Sequence, residues 1–98
     1  MAQVEIVAEN EVKGGWEFSV QVLSDTGDLR RHRVTLSWAD YNLWSADGAD
    51  QPEKVIEAVM GFLLSRTAAE MLGERFDASM ARRKYAEADV EIPKLISR

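Results

Sequence analysis

The chain contains no cysteine, one histidine and two prolines in 98 residues. Without cysteine there are no disulfides and no thiol nucleophile, and the thiolates used by most structural zinc sites are missing. The absence also fits a reducing compartment. The lone histidine, His32, has no nucleophile or acid beside it in sequence and too few companions for a metal centre. It reads as an ordinary strand residue. The phosphate-loop patterns GxxxxGKS and GxxxxGKT do not occur, nor do GxGxxG, HExxH or GxSxG. Asp40, Asp47 and Asp50 lack the regular alternation and closing glutamate of a calcium loop. No cofactor and no metal site are expected.

Long apolar runs are also missing. None approaches the ~20 residues of a membrane-spanning helix. The opening residues, MAQVEIVAEN, lack a basic region followed by an apolar stretch, so no signal peptide is expected. A cytoplasmic protein without membrane attachment is the expectation. The net charge is −5, which argues against a general nucleic-acid binder, whose domain is usually basic. The acidity is concentrated in the middle of the chain. Residues 38–76 hold seven acids and three bases, whereas residues 77–98 hold four acids and five bases.

The composition is 46% hydrophobic and 30% charged, the balance of a globular chain. The length suits one domain, 1–98, with a modest core. A modest core leaves room for association with a second copy as a further source of stability.

The first third reads as strands. Val4, Ile6 and Ala8 alternate with Glu5, Val7 and Glu9. Past Gly14 and Gly15, Trp16, Phe18, Val20 and Val22 alternate with Glu17, Ser19, Gln21 and Leu23. This is the period-two pattern of a strand with one buried face. Ser24 to Asp28 is a turn cluster suited to a hairpin. In the next strand Val34 and Leu36 lie on one face, and Arg31, Arg33 and Thr35 on the other. The expected strands are 3–9, 16–24 and 29–37.

The period changes at Ser37. Ser37 followed by Asp40 is a helix-start signal, with the serine oxygen capping and the aspartate facing the positive helix end. A short helix is expected at 38–45. A second is expected over 52–66, with 67–72 either continuing it or forming a separate turn, capped by Asp50 or Gln51 with Pro52 in its first turn. On a helical wheel Phe62, Val55, Val59, Leu63, Ile56, Met60 and Leu64 fill an arc of roughly 200°, twice the usual apolar stripe. A helix lying on one sheet face does not cover that width. The opposite side carries a line of small residues, Ala58, Gly61 and Ser65, read as a tolerated glycine or as a helix crossing. A last helix is expected at 78–86, capped by Asp77. The segment Val90 to Ile96 is expected to be an extended arm or final turn, because Pro93 forbids a central strand.

Strands first and helices after give an α+β fold, with an antiparallel sheet of two or three strands covered by helices. The candidate site residues are few. Trp38, Tyr41 and Trp44 recur every third residue and share one side of a helix. They close one end of the core or form an aromatic ledge for a partner. Arg31 and Arg33 project together from a strand. They form a solvated face paired with acids such as Glu17, or a site for an acidic or phosphate group. Arg82, Arg83 and Lys84 spread around a helix and complement its dipole.

These features favour a small non-enzymatic binding or regulatory module acting through protein–protein contacts, as a homodimer. One alternative is a nucleic-acid-associated protein using the basic residues at 30–33 and 82–84. Another is a small-ligand binder or enzyme with a pocket between sheet and helices.

Overall fold

A computed structural model describes residues 2–96. Met1, Ser97 and Arg98, at the ends of the expected 1–98 domain, lie outside the described residues. The fold is α+β, as the sequence indicates, with four strands in place of two or three. The strands β1 (Gln3–Val12), β2 (Gly15–Leu23) and β3 (Leu29–Ser37) form an antiparallel meander. Helices α1 (Trp38–Trp44) and α2 (Pro52–Arg66) follow. A short strand β4 (Arg75–Asp77) then returns parallel to β3, giving the order β1-β2-β3-β4. Helices α3 (Met80–Lys84) and α4 (Ala88–Leu95) complete the chain.

The period-two pattern of β2 and β3 sorts their side chains as expected. Trp16, Phe18, Val20, Val22, Val34 and Leu36 are buried on the inner face. In β1, the register slips between Ile6 and Ala8, so Val7 is an extra residue in a β-bulge. Val4 and Ile6 stay against the core, but Ala8 turns outward and is exposed. The first hairpin needs glycine at two positions for different reasons. Gly14 takes a φ of +85°, which other residues adopt only at a cost. Gly15 runs so close to β3 that a Cβ would lie 2.0 Å from the Leu36 carbonyl oxygen.

The cap at α1 forms as read: the Asp40 amide donates to Ser37 Oγ at 3.1 Å. For α2 the N-cap is Gln51, with no side-chain hydrogen bond. Asp50 instead accepts from the Ser45 hydroxyl at 2.7 Å and pins the preceding loop. Six of the seven residues in the wide apolar arc of α2 are covered within one chain, and Leu64, at the edge of the arc, is partly buried. Val55, Ile56, Val59, Met60, Phe62 and Leu63 are all at most 1% exposed. Helix α2 packs against β1, α1 and α4, and shares one apolar cluster with the inner sheet face. The width therefore reflects a helix sandwiched between two layers, and it requires no second subunit. Over Gly61 no close helix crossing occurs among the described residues: a Cβ there would meet nothing within 4 Å, and α4 only borders the groove with Glu91 and Leu95.

The C-terminal third departs most from expectation. After Arg66 the helix stops at Thr67 and a single 3-10 turn spans Ala69–Met71. The helix expected at 78–86 is only five residues long, because the Ala78 amide still donates to the Thr35 carbonyl of β3 at 2.7 Å and the backbone turns extended at Tyr85. Asp77 accepts from the Ser79 amide at 3.0 Å and from the Thr35 hydroxyl at 2.5 Å, so it ties a turn to β3 without capping α3. The arm expected at 90–96 is mostly helix, α4, with Pro93 inside it. Pro93 removes one helical amide, but Ala88, Ile92 and Ile96 recur every fourth residue and are all buried. Their burial against α2 outweighs the missing hydrogen bond.

Candidate functional site

Ser37 ends β3 and caps α1, so the first residue of α1, Trp38, emerges at the end of the sheet. Its amide donates to the Gly14 carbonyl at 3.0 Å, which ties the helix start to the first hairpin. The Trp38 ring lies on that of Trp16, with centroids 4.4 Å apart, and edge-on to Tyr41 at 6.0 Å. Trp16 and Tyr41 are each 6% exposed, whereas Trp38 is 53% exposed. The surface indole is thus held by two buried rings. Val12, in the same cross-sheet row as Gly15 and Ser37, is also exposed, as is Leu43 on α1.

The three aromatics of α1 therefore have three different settings. Trp38 is the exposed member. Tyr41 is core, and its hydroxyl reaches the carbonyls of Gly48 and Asp50, holding the loop before α2. Trp44 is fully buried, and its indole N–H donates to Asp89 Oδ1 at 3.0 Å. That bond belongs to a polar junction between α1, α3 and α4. Arg82 donates from Nε to the same Asp89 oxygen at 2.9 Å and from Nη1 to Asp40 at 3.1 Å.

The electrostatics of this junction are uneven. Arg82 is held more firmly protonated by its hydrogen bond to Asp89 and by the charges of both aspartates. Asp40 does not benefit in the same measure. Its burial, together with the nearby charges of Asp77 and Asp89, outweighs Arg82 and pushes its carboxyl above the ordinary range. Burial also works against a charged Asp77, yet hydrogen bonds from Ser79 and Thr35 and the charge of Arg83 hold that carboxyl below the ordinary range. The run 82–84 is in this way partly absorbed into structure: Arg82 is bridged, and Arg83 donates to Ser79 Oγ at 2.7 Å.

Arg31 and Arg33 lie together on the outer sheet face, where the sequence places them. Arg33 reaches Glu17 at 3.9 Å on the neighbouring strand. The fold adds a third guanidinium, because Arg75 of β4 sits directly beside Arg33 in the parallel register. Sequence reading missed Arg75. The only local signal was the alternation of Arg75, Phe76 and Asp77, too short to separate a strand from a turn. His32, between the two arginines, faces inward, is 4% exposed, and its Nδ1 pairs with the Gly73 carbonyl at 2.8 Å. With the Arg33 amide, which donates to the Glu74 carbonyl at 2.7 Å, it anchors the segment that leads into β4. Arg31, Arg33 and Arg75 border a concavity of about 660 Å³. No group of acids and His32 suited to holding a metal ion occurs among the described residues. No helix among the described residues is long and apolar enough to cross a membrane.

No family model, curated protein or solved structure matches this chain.

Proposed function

We propose that the chain is a non-enzymatic binding module that works through protein–protein contacts at the Trp38 corner, with a second copy of itself as the partner. The observation that carries this reading is the setting of Trp38, half-exposed yet fixed on the buried Trp16 and Tyr41. Rigid aromatic side chains lose little conformational entropy on docking and dominate interface energetics. The basis for self-association moves with this reading. It no longer rests on α2, whose apolar arc is covered within one chain except at its edge residue Leu64, and rests instead on the corner and on the small core of a short domain. A two-fold contact places the same patch on both copies, so each Trp38 docks against the other copy's corner.

Sedimentation equilibrium at micromolar concentration tests it. A dimer is expected for the native chain and an 11.0 kDa monomer for a folded Trp38→Ser variant. A native monomer overturns the homodimer, and a dimer indifferent to Trp38→Ser overturns the corner as its interface.

A further inference from the structure

All apolar side chains of the core cluster that come from the sheet point to one side, where the helices pack. The other side carries Ser19 and Gln21 on β2, Arg31 and Arg33 on β3 and Arg75 on β4, in direct cross-strand register. Arg33 and Arg75 are neighbours across a parallel pair, at the strand spacing of about 4.8 Å. Like charges placed side by side on a sheet oppose folding. The chain does little to relieve this pair. Arg33 reaches only Glu17, at 3.9 Å, and Arg31 and Arg75 have no ion pair within 4.0 Å among the described residues. An anion placed beside these guanidiniums would relieve their repulsion.

We propose that this concavity binds the phosphate group of a small, hydroxyl-bearing phosphorylated molecule. The space, about 660 Å³, matches the size of small-ligand sites. Guanidinium forks on adjacent strands suit a group with several charged oxygens, whereas one carboxylate occupies a single fork. The remaining lining explains the rest of the ligand. The hydroxyl of Ser19, the amide of Gln21 and the carboxylate of Glu74 border the same space and offer hydrogen bonds to hydroxyl groups. Val7, projected by the β1 bulge and exposed, adds an apolar wall. The carboxylates of Glu74 and Glu17 and the net charge of −5 oppose a polyanion such as a nucleic-acid backbone but tolerate one phosphate. None of these residues belongs to the Trp38 corner, so this site and the self-association stand or fall separately.

Amide NMR of the full isotopically labelled chain tests the proposal, with glucose 6-phosphate, inorganic phosphate, glucose and a short DNA duplex as separate titrants. Glucose 6-phosphate is expected to shift the amides of Ser19, Gln21, Arg31, Arg33 and Arg75 at millimolar concentration. Inorganic phosphate shifts the same set more weakly, and glucose alone shifts none. Arg33→Gln and Arg75→Gln each weaken glucose 6-phosphate by about tenfold. Arg30→Gln, whose guanidinium faces Glu70, leaves it unchanged. The proposal is overturned by absent shifts, by shifts confined to other surfaces, by equal binding of glucose, by tighter binding of DNA, or by variants that bind like the native chain. The native titrations decide the matter even where a variant fails to fold.

Discussion

The two faces of this sheet share the same strands and have opposite physics. On the inner face Phe18, Val20, Val22, Val34 and Leu36 are at most 1% exposed. On the outer face the alternate residues Ser19, Gln21, Arg31, Arg33 and Thr35 carry hydroxyl, amide and guanidinium groups. A one-residue shift in period-two side chains separates them. The difference teaches where stability resides. Apolar burial against α2 and α4 holds the fold, while the outer face contributes polar chemistry at little energetic consequence. The free edges of the sheet follow the same division. The long edge strand β1 is guarded against pairing by Glu5, Glu9 and Glu11 and by its bulge, and β4 is only three residues long.

The largest effect expected is at the centre of the inner side. Val59 is fully buried on α2, and Val59→Asp places an unpaired carboxylate in an apolar cluster. The expected cost exceeds about 5 kcal/mol, enough to unfold a marginally stable domain. Far-ultraviolet circular dichroism of the variant checks it, and a native spectrum contradicts the assignment of α2 as the centre of the core. Gly15→Ala is next. Its methyl would lie 2.0 Å from the Leu36 carbonyl oxygen and 2.9 Å from Ser37 Cα, both backbone atoms. The two strands have to move apart where Trp16 and Ser37 fix the Trp38 corner. A loss of about 2–4 kcal/mol in urea unfolding is expected, with Trp38 fluorescence changed in the folded variant. Gly14→Ala probes backbone conformation alone, because nothing lies within 4 Å of its added Cβ, and costs about 1 kcal/mol.

How far this organisation was legible depends on whether the determinants are local. The alternation of Trp16 to Val22 and the Ser37 cap act within a few residues, and both survive into the structure. The apolar arc of α2 was legible too, but its covering layer was not. That layer is α4, and Pro93 conceals it by resembling a helix breaker while Ala88, Ile92 and Ile96 keep a four-residue period. Strand β4 was invisible for a different reason. Three residues carry too little pattern, and their place depends on His32 and Arg33 binding a segment about 40 residues away in sequence. The candidate site divides in the same way. Arg31 and Arg33 could be read from one strand, whereas Arg75 joins them only through the fold. Trp38, Tyr41 and Trp44 share a helical spacing, and spacing specifies direction but not depth.

Two carboxylates have pH responses of opposite signs. Asp77 is held below the ordinary range, so its contribution is present above that range and is lost as the pH falls through its folded value. Asp77→Asn is expected to lower stability at neutral pH by about 1 kcal/mol or less, after allowance for solvent screening. The difference from the native chain should close in acid, where Asp77 is neutral. Asp40 is raised, so its contribution is full in acid and is lost as the pH rises through its folded value. Asp40→Asn is expected to be most favourable relative to the native chain at neutral pH, with that advantage shrinking as the pH falls. Urea unfolding of both variants across the acid range checks the two signs. Parallel pH profiles would contradict the opposed environments.

The smallest effect is expected where the outer face is most exposed. Arg31→Gln removes a guanidinium with no ion pair within 4.0 Å among the described residues, so its stability change should stay within about 0.5 kcal/mol. Urea unfolding provides the measurement, best made beside Val34→Ala. Val34 differs from Arg31 by three positions on β3 and points to the other side, fully buried; its truncation should cost about 2 kcal/mol or more. If the two variants unfold alike, the outer face is part of the stabilising structure and the division between faces fails. If they separate as expected, the arginines of the outer face are not held in place by any need of the fold. Their clustering on adjacent strands is then free to serve the phosphate binding proposed above.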